Sequence, residues 1–139
     1  MSWSAAGQPR KVATVAVKPG LAAAVQLVVG EADTAVSLRS GDVPVLATPR
    51  VVGLGEEAAV RAVEGELGES ETTVGMQVQL DHLAPTPVGQ TVTAEASVEK
   101  VNGRRVTFTI SVHDDRGLVA VGRVTRVVVD VERFMEKCH

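Results

Sequence analysis

The 139-residue chain is poor in cysteine and in aromatic residues. Its single cysteine, Cys138, excludes an internal disulfide and makes a cysteine-based metal cluster unexpected. With two Phe, one Trp and no Tyr, the core must be built from aliphatic side chains, chiefly Val, which favours strands. A chain without disulfides suits a reducing cytoplasm, and we expect a cytoplasmic protein.

The sequence also lacks basic clusters and long apolar runs. Its formal net charge at pH 7 is -3, with both signs dispersed along the chain, which gives no indication of a nucleic-acid surface. No stretch approaches the roughly 18 apolar residues of a membrane span, and no signal-peptide run is present at the start. We therefore expect one soluble domain that binds neither nucleic acid nor membrane.

The first part of the chain predicts a leader, a strand and a loop. Residues 1–19 are expected to form a flexible N-terminal leader with a candidate edge strand at 11–17, and residues 20–139 a single domain. The apolar run at 21–29 predicts a strand, and residues 30–47, with their Gly and Pro, predict a loop or lid.

Thr48 and Pro49 open a predicted helix. Thr is a good N-cap residue and Pro suits the first helical turn. Residues 50–67 have the apolar periodicity of a helix, and Gly68 is the expected stop. The predicted apolar stripe consists of Val52, Ala59, Val60, Val63 and Leu67.

The remaining sequence predicts four strands. Apolar and polar residues alternate over 74–82, 91–99 and 105–112, and a longer apolar strand follows at 118–131. Asn102-Gly103 is a hairpin signal, and a change of apolar parity near Arg126 suggests a β-bulge or a change of packing partner. Short turns imply an antiparallel sheet, so the sequence predicts an α+β fold with one long helix packed on that sheet.

Two ionisable residues interrupt these apolar patterns. Glu56 lies near the centre of the predicted helix stripe, and His82 continues the parity of Val74 and the apolar residues after it. Two titratable groups directed at one apolar layer favour a functional site. Other interpretations stay open: a half-buried structural histidine, a glutamate that extends to solvent, and Thr48 as a helix cap.

The arginines of the strands are expected at the surface, with some able to meet a phosphate. They are Arg104, Arg105, Arg123 and Arg126. No serine elbow, phosphate loop or metal-spaced His/Cys cluster is present.

Several segments resemble the fluoroacetyl-CoA thioesterase family. The similar segments are 45–49 with Gly53 and Glu56, 73–75 with 82–89, 101–105 with Phe108, His113-Asp114, and 126–129 with Phe134. The resemblance as a whole runs from about residue 20 to residue 137, nearly the whole chain.

The resemblance implies a hot-dog fold, in which an antiparallel β-sheet wraps around one long α-helix. Members normally form a homodimer with the sites between subunits. The implied catalytic residues are Thr48, Glu56 and His82. The implied substrate-binding residues are Gly75, Val74 and Pro49.

The implied reaction is hydrolysis of a short- to medium-chain acyl-CoA to free acid and CoA. It needs no metal and no cofactor, because CoA is part of the substrate. Residues 35–46 lack the aromatic residues that the family places over the acyl group, so selectivity for a fluorinated acyl group is not implied. The alternatives are a non-catalytic module that binds acyl-CoA or another small molecule, and a hot-dog hydratase.

Overall fold

The computed structural model describes residues 16–139, so the predicted leader and its edge strand lie almost wholly outside the described residues. The five strands are β1 (Ala22–Val28), β2 (Glu71–His82), β3 (Thr91–Asn102), β4 (Arg105–Asp114) and β5 (Gly117–Asp130). The helices fully within these residues are α1 (Thr48–Ala62) and the short α2 (Val131–Met135), with 3-10 turns at Glu31–Asp33 and Glu136–Cys138.

The strands form one antiparallel sheet in the order β1-β3-β4-β5-β2. Helix α1 packs mainly against β1 and β3 and also contacts the other three strands. A Cβ atom on Gly55 would lie 3.0 Å from Ile110 of β4, so glycine lets the helix approach the sheet closely. The predicted α+β architecture is confirmed.

Helix α1 begins at Thr48 as predicted but ends earlier. It stops at Ala62, and Gly65 then adopts a left-handed conformation with φ 92°, which glycine tolerates best. The buried stripe also lies on a different face of the helix from the predicted one, since Val60 is exposed. The buried helix residues are Val51, Leu54, Gly55, Ala58, Ala59 and Ala62.

The irregularity predicted near Arg126 lies in the partner strand. The β2–β5 register shifts between Gly75 and Gln77, opposite Arg126, so Met76 is the extra residue of a β-bulge. Strand β5, although apolar on both faces, lies inside the sheet between β4 and β2. Within the part of the chain that the structure describes, the edge strands are therefore β1 and β2.

Among residues 16–139, no helix combines the length and the hydrophobicity needed to cross a bilayer.

Candidate active site

Thr48 and His82 form the first part of the site. Thr48 is the first residue of α1, but the N-cap is Ala47 and no side chain caps the helix. The Thr48 hydroxyl instead lies 2.8 Å from Nδ1 of His82, at the end of β2. The helix-cap interpretation of Thr48 is therefore wrong. We call these two residues the Thr48–His82 pair.

The environment of His82 favours the neutral form of its ring. Burial lowers its pKa from the ordinary value of 6.5, and the nearby polar backbone of Ala84 opposes that effect only in part. Its Nε2 atom is enclosed and has no hydrogen-bond partner among the described residues. A neutral imidazole beside a hydroxyl can accept a proton from a bound molecule.

Glu56 and Arg126 form the second part, the Glu56–Arg126 pair. Arg126 Nη1 donates a 2.8 Å hydrogen bond to Glu56 Oε2. The Glu56 side chain is 33% exposed, so it lies at the margin of the helix stripe and not at its centre as predicted. A Cβ atom on Gly75 would lie 2.5 Å from the same Oε2 atom. Glycine at this position leaves room for the carboxylate.

Arg126 was expected at the surface, and that prediction is wrong, because only 8% of the residue is exposed. Its Nε donates to Thr73 Oγ1 and its Nη2 to Thr73 O, each at 2.9 Å. Burial lowers the Arg126 pKa, and the charge and hydrogen bond of Glu56 oppose this. The available sequence signal was its place between Val124 and Val128, two buried residues of the same parity.

The bulge decides which residues of β2 face the helix. Thr73 contacts the buried Arg126, and Gly75 faces Glu56, so the residues on the helix side are odd-numbered before the bulge. Alternation then turns Val74, a predicted substrate contact, toward the opposite face. After the bulge the even-numbered His82 faces the helix layer, as its contact with Thr48 shows.

One chain brings the predicted residues together as two pairs, not as one cluster. Thr48 and Glu56 are eight residues apart on α1, about 12 Å along the helix axis. His82 and Gly75 are seven residues apart on β2, about 23 Å along the strand. Thr48, Gly75 and the predicted substrate contact Pro49 are all exposed. The single chain therefore presents two separate half-sites open to solvent.

The other expected strand arginines differ in exposure. Arg123 is exposed and pairs with Glu99 at 2.8 Å, whereas Arg104 is largely covered and lies 3.5 Å from Glu71. Among residues 16–139, no three His, Cys, Asp or Glu residues form a group that could hold a metal ion.

Comparison with known proteins identifies the family. The family model for the fluoroacetyl-CoA-specific thioesterase, FlK, matches residues 29–132. The fluoroacetyl-CoA thioesterase of Streptantibioticus cattleyicolor is 39% identical over 93 residues, which is 67% of this chain and 67% of that protein.

Solved structures agree in fold. A structure of the fluoroacetyl-CoA thioesterase FlK superposes with a TM-score of 0.83 at 32% identity, covering 88% of this chain and 95% of that one. A hot-dog-like protein from Thermanaerovibrio acidaminovorans has a TM-score of 0.83 at 27% identity, covering 90% and 93%. The predicted hot-dog fold is confirmed. A FlK point mutant solved with fluoroacetate and CoA is 32% identical, with a TM-score of 0.79 and coverage of 85% and 99%.

Proposed function

The chain belongs to the fluoroacetyl-CoA-specific thioesterase family, whose chemistry is thioester hydrolysis, and we propose that it hydrolyses a short- to medium-chain acyl-CoA to free acid and CoA. The observation that carries this proposal is the 2.8 Å contact between Thr48 Oγ1 and His82 Nδ1. It sets a neutral base beside a hydroxyl on an open face of the subunit. The complexes of one FlK mutant with fluoroacetate and CoA, and of another with acetyl-CoA, support the substrate class.

The proposed active unit is a homodimer paired through β2. This strand is 12 residues long and lies at a sheet edge, and unpaired edges of that length favour association. Its Met76 and Val78 side chains are 48% and 38% exposed. A second copy pairing antiparallel along β2 covers these apolar residues and is compatible with two-fold symmetry.

Such pairing also unites the two half-sites. If two β2 strands pair antiparallel about the Val78–Gln79 centre, Gly75 of one subunit lies opposite His82 of the other. The Thr48–His82 pair of each subunit then faces the Glu56–Arg126 pair of its neighbour. In this arrangement each complete site takes one pair from each subunit. The separation of about 12 Å between Thr48 and Glu56 of one chain therefore does not prevent the two pairs from acting together.

In the first of two routes, His82 acts as general base. It removes a proton from water, and the water oxygen attacks the thioester carbonyl carbon. The carbon–sulfur bond then breaks, and the CoA thiolate takes up the proton from His82. The Glu56 carboxylate orients the water, while backbone N–H groups near Gly75 or at the start of α1 stabilise the oxyanion.

In the second route, Glu56 is the nucleophile. Arg126 bonds Oε2, and no described residue bonds Oε1, which attacks the carbonyl carbon and expels CoA as thiolate. Water then hydrolyses the acyl anhydride. A single turnover in ¹⁸O-water tests the second route: ¹⁸O in the Glu56 carboxylate identifies an anhydride hydrolysed at the Glu56 carbonyl, whereas general-base catalysis puts the ¹⁸O atom only in the acid.

The loop before α1 bears on acyl selectivity. Residues 35–46 contain no aromatic residue, and Val36, Leu38 and Val43 are 51%, 42% and 58% exposed. Aliphatic side chains that are not packed down can adapt to acyl groups of different length. We therefore expect a preference set by chain length and not by a fluorine substituent.

The direct test is thiol release from a panel of acyl-CoAs, which includes acetyl-, fluoroacetyl-, butyryl- and octanoyl-CoA. We expect turnover by the wild type, loss of about 10²-fold or more in His82→Ala, and no change in the control His139→Ala at the chain end. Absence of thiol release together with saturable acyl-CoA binding would contradict hydrolysis and identify a binding module.

Subunit mixing tests the shared site. Glu56→Gln and His82→Ala are each expected to be inactive. In a mixed dimer, one site combines the intact His82 of one subunit with the intact Glu56 of the other. Random exchange should restore about a quarter of wild-type activity, since half of the dimers are mixed and each has one intact site. No recovery, with exchange verified by mass, would place both pairs in separate or single-chain sites.

A further inference from the structure

The Thr48–His82 pair is carried by two segments that meet backbone to backbone. Leu46 N, two residues before Thr48, donates a 2.8 Å hydrogen bond to Thr86 O, four residues after His82. The next residue on each side also pairs, through an isolated bridge between positions 45 and 87. The distance between Thr48 and His82 therefore depends on the conformation of the turn at 83–90.

Asp114 holds this turn from the end of β4. The Thr86 side chain is wholly buried, and its hydroxyl donates a 3.1 Å hydrogen bond to Asp114 Oδ2. The other carboxylate oxygen, Oδ1, accepts from Arg116 N at 2.8 Å. Burial acts to raise the pKa of Asp114, but the hydrogen bonds from Arg116 and Thr86 outweigh it and the pKa is lowered. Asp114 is thus an ionised anchor with both oxygens engaged.

We propose that Asp114 and Thr86 are positioning residues for the Thr48–His82 pair. Their action passes through the backbone hydrogen bond between Thr86 and Leu46, since the hydrogen bond between the Thr86 and Asp114 side chains does not reach the pair itself. Asp114 fixes the turn, the turn fixes Leu46, and Leu46 fixes the first residue of α1. The expected effect on turnover rests on the proposed thioesterase function, whereas the expected effect on the contact between Thr48 and His82 does not.

Four variants isolate the effect. Thr86→Val removes the hydroxyl and keeps the shape, while Thr86→Ser keeps the hydroxyl. Asp114→Asn is a milder change that retains the fold, but its single acceptor oxygen cannot serve both Thr86 and the Arg116 N–H. Thr107→Val is the matched control, because it removes a comparable hydroxyl contact, 3.4 Å to Thr125 Oγ1, far from the pair.

The kinetic result expected is a loss in kcat without a loss in binding. Thr86→Val should lower kcat by about 10- to 100-fold, since misplacement by about 1 Å costs that much, with KM changed less than about twofold. Thr86→Ser should rescue kcat and Thr107→Val should leave it unchanged. In a Thr48→Ala background, Thr86→Val should have no further effect, because the contact that it positions is already absent.

An NMR measurement decides the inference independently of turnover. The ring ¹⁵N shifts of His82 in Thr86→Val and Asp114→Asn should move toward those of Thr48→Ala, and those of Thr107→Val should not. If the wild type releases no thiol but the His82 shifts still move in these variants, the positioning inference stands while the proposed function fails. Unchanged His82 shifts and unchanged kcat, in variants that only melt earlier, would overturn it.

Discussion

Arg126 Nη1 donates a 2.8 Å hydrogen bond to Glu56 Oε2 although the two residues are 70 positions apart in the chain. The arginine is held in place by two further bonds to Thr73 of the edge strand. The carboxylate at the margin of α1 is therefore oriented by the sheet and not by its own helix. This relationship places a charge pair beside Gly75, where β2 carries its bulge.

Replacing Arg126 should disable the Glu56 half-site. Arg126→Met leaves the carboxylate without its partner, and we expect a loss of about 10²-fold in kcat and a stability loss of about 1–3 kcal/mol. Arg126→Lys should recover little, because an ammonium group cannot reproduce the fork of bonds. Thiol-release kinetics and thermal unfolding measure both effects. Arg123→Met, at an exposed pair with Glu99, is the control and should leave activity and stability essentially unchanged, because solvent screens an exposed ion pair.

A side chain on Gly75 should displace the carboxylate of Glu56. The Cβ atom of Gly75→Ala would lie 2.5 Å from Oε2, so either the carboxylate or β2 must shift. We expect kcat/KM to fall by about 10²-fold in a protein that still folds. Gly53→Ala is the matched control, because its Cβ atom meets nothing closer than 3.8 Å. It should keep full activity and gain up to about 1 kcal/mol of stability. Equal activities of the two variants would show that Glu56 does not need this position.

The pH dependence should report His82. Its pKa is lowered by burial, so the acid limb of kcat/KM is expected below the ordinary histidine value of about 6.5. The same shift affects stability. The contribution of neutral His82 to the free energy of unfolding is complete above the unfolded-state pKa and is lost as pH falls through the folded-state pKa. Kinetic profiles and chemical denaturation across the acid range test both effects. An acid limb above about 6.5 would assign it to another group.

A charge on the edge strand should separate the subunits. Val78→Lys places an ammonium group at the proposed interface, and we expect light scattering to report the monomer mass and thiol release to fall to background. Val121→Lys is the matched control, since Val121 is 40% exposed against 38% for Val78 but lies on the internal strand β5. A wild type that is already monomeric, or a Val78→Lys dimer with full activity, would contradict pairing through β2.

Periodicity predicted the parts of the fold in which local pattern and tertiary environment agree. Strands β3 and β4 alternate over residues 91–98 and 105–112 and bury one face there, so their positions followed from the sequence. The hairpin between them follows Asn102, with Gly103 at φ 63°. The early end of α1 was missed, because Gly65 follows apolar residues that still fit a helical stripe.

The candidate site was predictable only in its residue types. Glu56 and His82 stood out as ionisable groups in apolar patterns, and the family resemblance supplied Thr48. Neither signal identified Arg126, because an arginine in a strand is normally solvated at the surface. Its burial depends on Thr73 and Glu56, whose approach no local pattern encodes.

By itself, the sequence determined the order of elements, the antiparallel sheet and the family, since these depend on residue spacing along the chain. The tertiary structure alone decided the pairing of Thr48 with His82 and of Glu56 with Arg126. It also decided, through the bulge at Met76, that Gly75 and not Val74 faces the helix. A bulge reverses which face each side chain occupies, and its position depends on the partner strand, so alternation in one strand could not reveal it.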